Sequence, residues 1–150
     1  LKALQVNNTA MAVAIDLGEW NDIHPDNKKS VGERVALAAF KTAYGENAVH
    51  SGPLFSSAVT EGNKIIISFT STGSGLTTSD DEAPAEFAIA GADKKFVWAK
   101  TRIEGGTIIA WNDQIAQPMY VRYAWADNPV NPNLYNKEGL PASPFQLSVK

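Results

Sequence analysis

Asp22 and His24 stand two residues apart, and Pro25 follows the histidine directly. Histidine takes up and releases a proton near neutral pH, which suits it to act as a general base. A carboxylate beside it selects the ring tautomer and steadies the imidazolium formed when the base acts. Pro25 and the helix pattern that follows limit how far His24 can wander. The same spacing has a plain structural meaning, because an aspartate here also suits a loop turn or a helix cap. Trp20 and Asn21 share the segment. Trp20 fits the wall of a pocket as readily as simple loop packing.

Other chemistry is narrowed by what is absent. The 150 residues contain no Cys, which excludes a disulfide, a thiolate nucleophile and a thiolate metal site. The two histidines, His24 and His50, are too few for a multi-histidine metal centre. His50 has no acidic neighbour in sequence and reads as structural. Asp80-Asp81-Glu82 with Asp93 matches no calcium loop and reads as a mobile acidic loop. No metal and no cofactor are therefore expected. A net charge of −3, with 44% hydrophobic and 19% charged residues, fits a folded domain and argues against a basic nucleic-acid surface. No apolar run approaches the ~18–20 residues of a membrane-spanning helix.

The elements around the pair divide into an entry and an exit. Met11 to Leu17 (MAVAIDL) is a nearly continuous apolar run, which predicts a strand buried on both faces of a parallel sheet. The polar stretch Gly18 to Pro25 predicts a loop. A helix is predicted over roughly Asp26 to Tyr44, with Val31, Val35, Ala38 and Ala39 on its inner face and Gly45 as its terminator. Loops at the C-terminal ends of parallel strands are where open α/β sheets place their sites. One strand and one helix cannot bury their own apolar faces. A further N-terminal segment is thus expected to complete the layer, and a start at Leu1 rather than Met agrees.

Residues 51–150 read differently from residues 1–50, with Ser51-Gly52-Pro53 at the joint. Strands are predicted at Lys64 to Phe69, Glu86 to Ala90, Phe96 to Ile103, Thr107 to Trp111 and Met119 to Trp125. Glu104-Gly105-Gly106 predicts a hairpin turn. Met119, Val121, Tyr123 and Trp125 are expected on one face. Short strands at close spacing imply an antiparallel β-sandwich, with Asn128 to Pro144 as an extended tail. Trp98, Trp111, Trp125, Tyr120, Tyr123 and Tyr135 are read as core or interdomain packing in preference to a sugar platform.

Longer blocks carry a resemblance. Met11 to Gly18, Asn21 to Lys28 (NDIHPDNK) and Val31 to Ala38 look like the last block of SGNH-type carbohydrate esterases, most closely the sialate O-acetylesterase family. Gly52 to Phe55, Gly73 to Leu76, Phe87 to Gly91, Arg122 to Pro129 (RYAWADNP), Asn133 to Asn136 and Gly139 to Pro144 resemble that family's C-terminal region. The resemblance implies the final strand–loop–helix unit of an α/β hydrolase domain in residues 1–50 and a small β-sandwich in 51–150. It implies a serine esterase that removes O-acetyl groups from sugars, 9-O-acetyl sialic acid first, with acetylxylan or another glycan as the alternative. His24 takes the place of the base. Asp22 is its orienter, although the more usual Asp-x-x-His spacing would point to Asn21, and a backbone carbonyl also suits the role. No nucleophile motif is present; Ser74, the Gly-flanked serine, reads as a turn. The expected partners are an N-terminal portion carrying the nucleophilic Ser and an O-acetylated sugar, with neither nucleic acid nor membrane. This chain alone is not expected to turn over ester, and a secreted or periplasmic setting is implied. From a different class comes a sugar-binding or scaffolding module that does no chemistry.

Overall fold

In the computed structural model, which describes residues 1–149, the chain is mostly antiparallel β with one α-helix. Helix α1 spans Lys28–Tyr44. Its start is set by Asn27, whose side chain accepts the Ser30 N–H and so satisfies one of the donors a helix start leaves free. The helix therefore begins later than Asp26. Gly45 ends it at φ +70°, a left-handed conformation open to a residue without Cβ.

The inner face of α1 is rotated from the predicted one. Arg34 and Ala38 are buried and Val31 is half-buried, whereas Val35 and Ala39 are exposed. On the buried side, Arg34 has a partner in Asp16. Residues 11–17, predicted as a strand, form none. A strand exists only within a hydrogen-bonded ladder, and no strand among the described residues pairs with this segment. It runs half-buried and irregular, held by side chains instead.

Ten strands follow among the described residues: β1 (Leu54–Glu61), β2 (Lys64–Thr70), β3 (Leu76–Thr78), β4 (Phe87–Ala90), β5 (Val97–Trp98), β6 (Lys100–Glu104), β7 (Thr107–Trp111), β8 (Tyr120–Tyr123), β9 (Leu134–Asn136) and β10 (Phe145–Ser148). One antiparallel sheet has the order β1-β2-β7-β6, a second β10-β8-β4-β5, and β3 pairs with β9. The β6–β7 hairpin turns on Gly105 and Gly106 at φ +55° and +84°, which matches the twist of the flanking strands. The predicted strand Phe96 to Ile103 is in fact two. Val97–Trp98 pairs with β4 and Lys100–Glu104 with β7, so the chain changes sheets at Ala99.

Both sheets contribute to one core. Ile65, Ile67, Ile108 and Ala110 come from the first, and Phe87, Ile89, Val121, Tyr123 and Phe145 from the second. Burying each large apolar side chain contributes about 1.5–3 kcal/mol. Val121 and Tyr123 point inward as expected, but Trp125 is 53% exposed. Ala124 adopts φ +46° and bonds Glu86 O, and this turn breaks the alternation before Trp125. Trp98, on a two-residue edge strand, is 66% exposed and is not core.

The tail closes on the joint. The buried Asn136 donates to Ser51 O at 3.1 Å and accepts the Leu140 N–H at 2.9 Å. Ser143 N–H bonds Pro53 O at 3.0 Å. A Cβ on Gly52 would lie 2.0 Å from Pro141 O, so only glycine fits under the tail. The acidic loop at Asp80 is pinned, not mobile, since Asn131 and Asn133 both donate to its carboxylate. Those bonds hold the Asp80 carboxyl below the usual range.

Candidate active site

The loop bearing Asp22 and His24 has two roots on helix α1. At its far end, Pro25 O accepts Lys28 Nζ at 2.7 Å and Asn27 caps the helix. At its near end, Asp16 is gripped by Arg34, with Nη1 to Oδ1 at 2.6 Å and Nη2 to Oδ2 at 2.7 Å. Arg34 Nη1 also donates to Val13 O at 2.8 Å. From the sheets, the Tyr135 hydroxyl donates to Asp16 Oδ2 at 2.7 Å. The Arg34 and Asp16 side chains are only 11% and 10% exposed. Burial alone would raise the Asp16 carboxyl; the bonds from Arg34 and Tyr135, with the Arg34 charge, outweigh it and hold it below the ordinary range.

Between the roots, Glu19 and Asp22 form an isolated antiparallel bridge around a tight turn. Asp22 Oδ1 then accepts the His24 backbone N–H at 2.8 Å and lies 2.9 Å from His24 Nδ1. The backbone bond, and the ring bond after it, hold the Asp22 carboxyl low. An ionised carboxylate only accepts, so Nδ1 carries the proton and Nε2 of the neutral ring keeps its lone pair. The arrangement can therefore take a proton at Nε2 while Asp22 steadies the resulting charge. Both side chains are open to solvent, His24 at 73% and Asp22 at 54%.

Trp20 and Asn21 lie in the same turn as the pair, and Trp20 is 83% exposed. Together with Gly18, Asp22 and Ile23 they form one side of a cleft of about 490 Å³, and Asp127, Asn128 and Pro129 form the other. The structure thus brings Trp20, Asn21, Asp22 and His24 into one loop; Trp20, Asn21 and Asp22 line the cleft opposite the tail, and His24 lies outside its lining. Asn21 makes no hydrogen bond to His24; Asp22 does. Ser74 sits in the turn before β3, and its hydroxyl donates to Glu138 Oε1 at 2.5 Å. No group of three or more His, Cys, Asp or Glu among the described residues is placed to hold a metal.

Sequence reasoning missed Asp16, Arg34 and Tyr135. A signal was present: one acid inside an otherwise apolar run, and one arginine beside the apolar positions of the helix that follows. Unlike charges on two apolar faces point to a buried pair.

Comparison with known proteins adds to this geometry. No family model matches the chain. It is similar to the sialate O-acetylesterase of Mus musculus, 28% identical over 155 residues that cover 95% of this chain and 28% of that protein. Its fold is similar to the crystal structure of a novel carbohydrate acetylesterase from Xanthomonas citri, with a TM-score of 0.87 and 46% identity, over 91% of this chain and 32% of that one. The chain spans less than a third of the length of either, 28% and 32%. The resemblance drawn from the DIHP and RYAWADNP blocks is borne out at the level of sequence and of fold.

Proposed function

We propose that this chain is the C-terminal portion of a serine carbohydrate O-acetylesterase and that His24 is its base. The observation that carries the reading is the 2.9 Å contact between Asp22 and His24 Nδ1, which leaves Nε2 as the proton acceptor. In the reaction, a Ser hydroxyl from an N-terminal portion gives its proton to Nε2 as its oxygen attacks the acetyl carbon. The imidazolium then returns that proton to the departing sugar oxygen. Water, deprotonated by Nε2 in turn, attacks the acetyl-enzyme and releases acetate, with the proton going back to Ser. Asp22 orients His24 throughout, and Trp20 and Asn21 line the sugar or acetyl pocket. The two sheets form a β-sandwich appended to an SGNH-type domain that residues 1–50 complete.

The similarity to a sialate O-acetylesterase and to a carbohydrate acetylesterase supports this activity class. The sugar is 9-O-acetyl sialic acid on the sequence resemblance, with acetylxylan or another glycan as the alternative; relative kcat/KM on the two substrates separates them. A secreted or periplasmic setting goes with either.

The test uses the intact protein with its nucleophilic segment. His24→Ala is expected to abolish acetyl-ester hydrolysis. Asp22→Asn is expected to cost less than His24→Ala, because it removes an orienter and leaves the base. Full activity in His24→Ala refutes the assignment. A second reading, a sugar-binding part without chemistry, is favoured by the exposure of Trp98 and Trp125, 66% and 53%. It predicts glycan binding that Trp98→Ala removes and no hydrolysis in any variant.

A further inference from the structure

The Asp16–Arg34 pair, largely buried, and the half-buried Tyr135 that bonds it are unused by the chemistry above. Their position relative to the loop gives them a role. Among the described residues, no hydrogen bond runs from residues 17–25 to the sheets; the bonds of this segment stay within residues 14–28. The loop is thus internally stiff at its Glu19–Asp22 turn, yet its placement depends on its roots. Both roots rest on α1, one through the helix start and one through the Arg34 fork. Nothing in that circuit fixes the loop relative to the cleft wall at Asp127 to Pro129, which belongs to the tail. The Tyr135 hydroxyl does, since Tyr135 is in β9 and bonds the same Asp16 oxygen that Arg34 Nη2 holds.

We propose that Tyr135 is a positioning residue of the esterase site: by sharing the Asp16 carboxylate with Arg34, it sets the root of the Gly18–Pro25 loop and, through it, where His24 Nε2 lies relative to substrate. The proposal rests on the esterase reading. Tyr135 touches neither substrate nor the reacting atoms and acts only through Asp16. Its phenol is suited to this. It remains a neutral donor, because burial and the neighbouring Asp16 carboxylate push its ionisation up. A hydrogen bond to a carboxylate is shorter and stronger than one between neutral groups.

The test is Tyr135→Phe in the intact enzyme, which deletes one oxygen and keeps the ring. A misplaced catalytic group costs up to about 100-fold per ångström, and one lost tether of the root predicts a fall in kcat of about tenfold with KM unchanged. Assays run well below the thermal midpoint of each variant, so that a loss of folded protein does not enter. The split of kcat from KM is the discriminating readout, because a misplaced base slows the chemical step and leaves substrate binding unchanged. A kcat within twofold of the parent overturns the proposal. So does a rise in KM that matches the fall in kcat, or a loss that vanishes once rates are corrected for the folded fraction, which marks a merely structural residue. If Tyr135→Phe does not fold at the assay temperature, Asp16→Asn keeps the shape, weakens both partners' grip, and is read by the same two criteria. If His24→Ala is active, the esterase reading fails; if His24→Ala is dead while Tyr135→Phe is fully active, only the positioning role does.

Discussion

Replacing Arg34 with Met withdraws the fork that grips Asp16 and strands the carboxylate. Three contacts go: 2.6 and 2.7 Å to the two Asp16 oxygens and 2.8 Å to Val13 O. Methionine retains apolar bulk along the path of the arginine stem, so the packing loss is small and the charge effect dominates. Both side chains are about nine-tenths covered, at 11% and 10% exposure, so water can take over the lost bonds only in part. Removing one partner of a buried pair costs about 3–5 kcal/mol. Tyr135 still donates to Asp16 Oδ2, which places the expected loss near the lower end, at about 3 kcal/mol. For a cooperative unit of this size each kcal/mol moves the midpoint by about 2–4 °C, so the thermal midpoint of the unit that holds the pair is expected to shift down by about 6–12 °C. The companion measurement is the double variant Arg34→Met/Asp16→Leu. With no charge left buried, it is expected to regain most of the loss. A single-variant cost below about 1 kcal/mol, or a double variant no better than the single, refutes the view that this pair anchors the loop.

Two further predictions concern the same scaffold. The Asp16 carboxyl lies below its unfolded value in the folded protein, so its contribution is complete above about pH 3.9 and is lost as pH falls through the lower, folded value; the thermal midpoint of the parent is expected to fall more steeply below about pH 4 than that of Asp16→Asn, and parallel slopes would count against the linkage. Gly52→Ala places a Cβ 2.0 Å from Pro141 O and 2.6 Å from Leu140 O, both backbone atoms with little room to yield; a loss of about 1–3 kcal/mol or more is expected, seen as a lower urea midpoint at unchanged slope.

How much of this was legible depended on sequence distance. The β-strands that alternate or run apolar, such as Lys64–Thr70 and Thr107–Trp111, announced themselves, as did the Gly105-Gly106 turn. The contact between Asp22 and His24 was readable because it is local, a two-residue loop turn closed by its own backbone. Residues 11–17 pair with no strand among the described residues: apolar composition reports burial and not pairing, and which ladder a segment joins is a tertiary fact. On α1, Arg34 is buried against Asp16 while Val35 is exposed, and hydrophobic periodicity gives no sign of such an ion pair. Trp125 was drawn into a strand face by periodicity, and the single positive φ at Ala124 undid it. Tyr135 gave no local sign at all, since its partner lies 119 residues earlier.

That separation has a consequence for how the protein is made. During synthesis Asp16 emerges long before Tyr135, and at about 5–20 residues per second the intervening 119 residues take roughly 6–24 s. Arg34 arrives early and can hold Asp16 locally, but the loop around His24 receives its last tether only when β9 is in place. Closing so long a span carries an entropic cost that only the completed sheets offset. The nascent chain therefore carries the His24 loop in a loosely set form, and the placement of that loop is acquired at the end of folding, when the tail has docked.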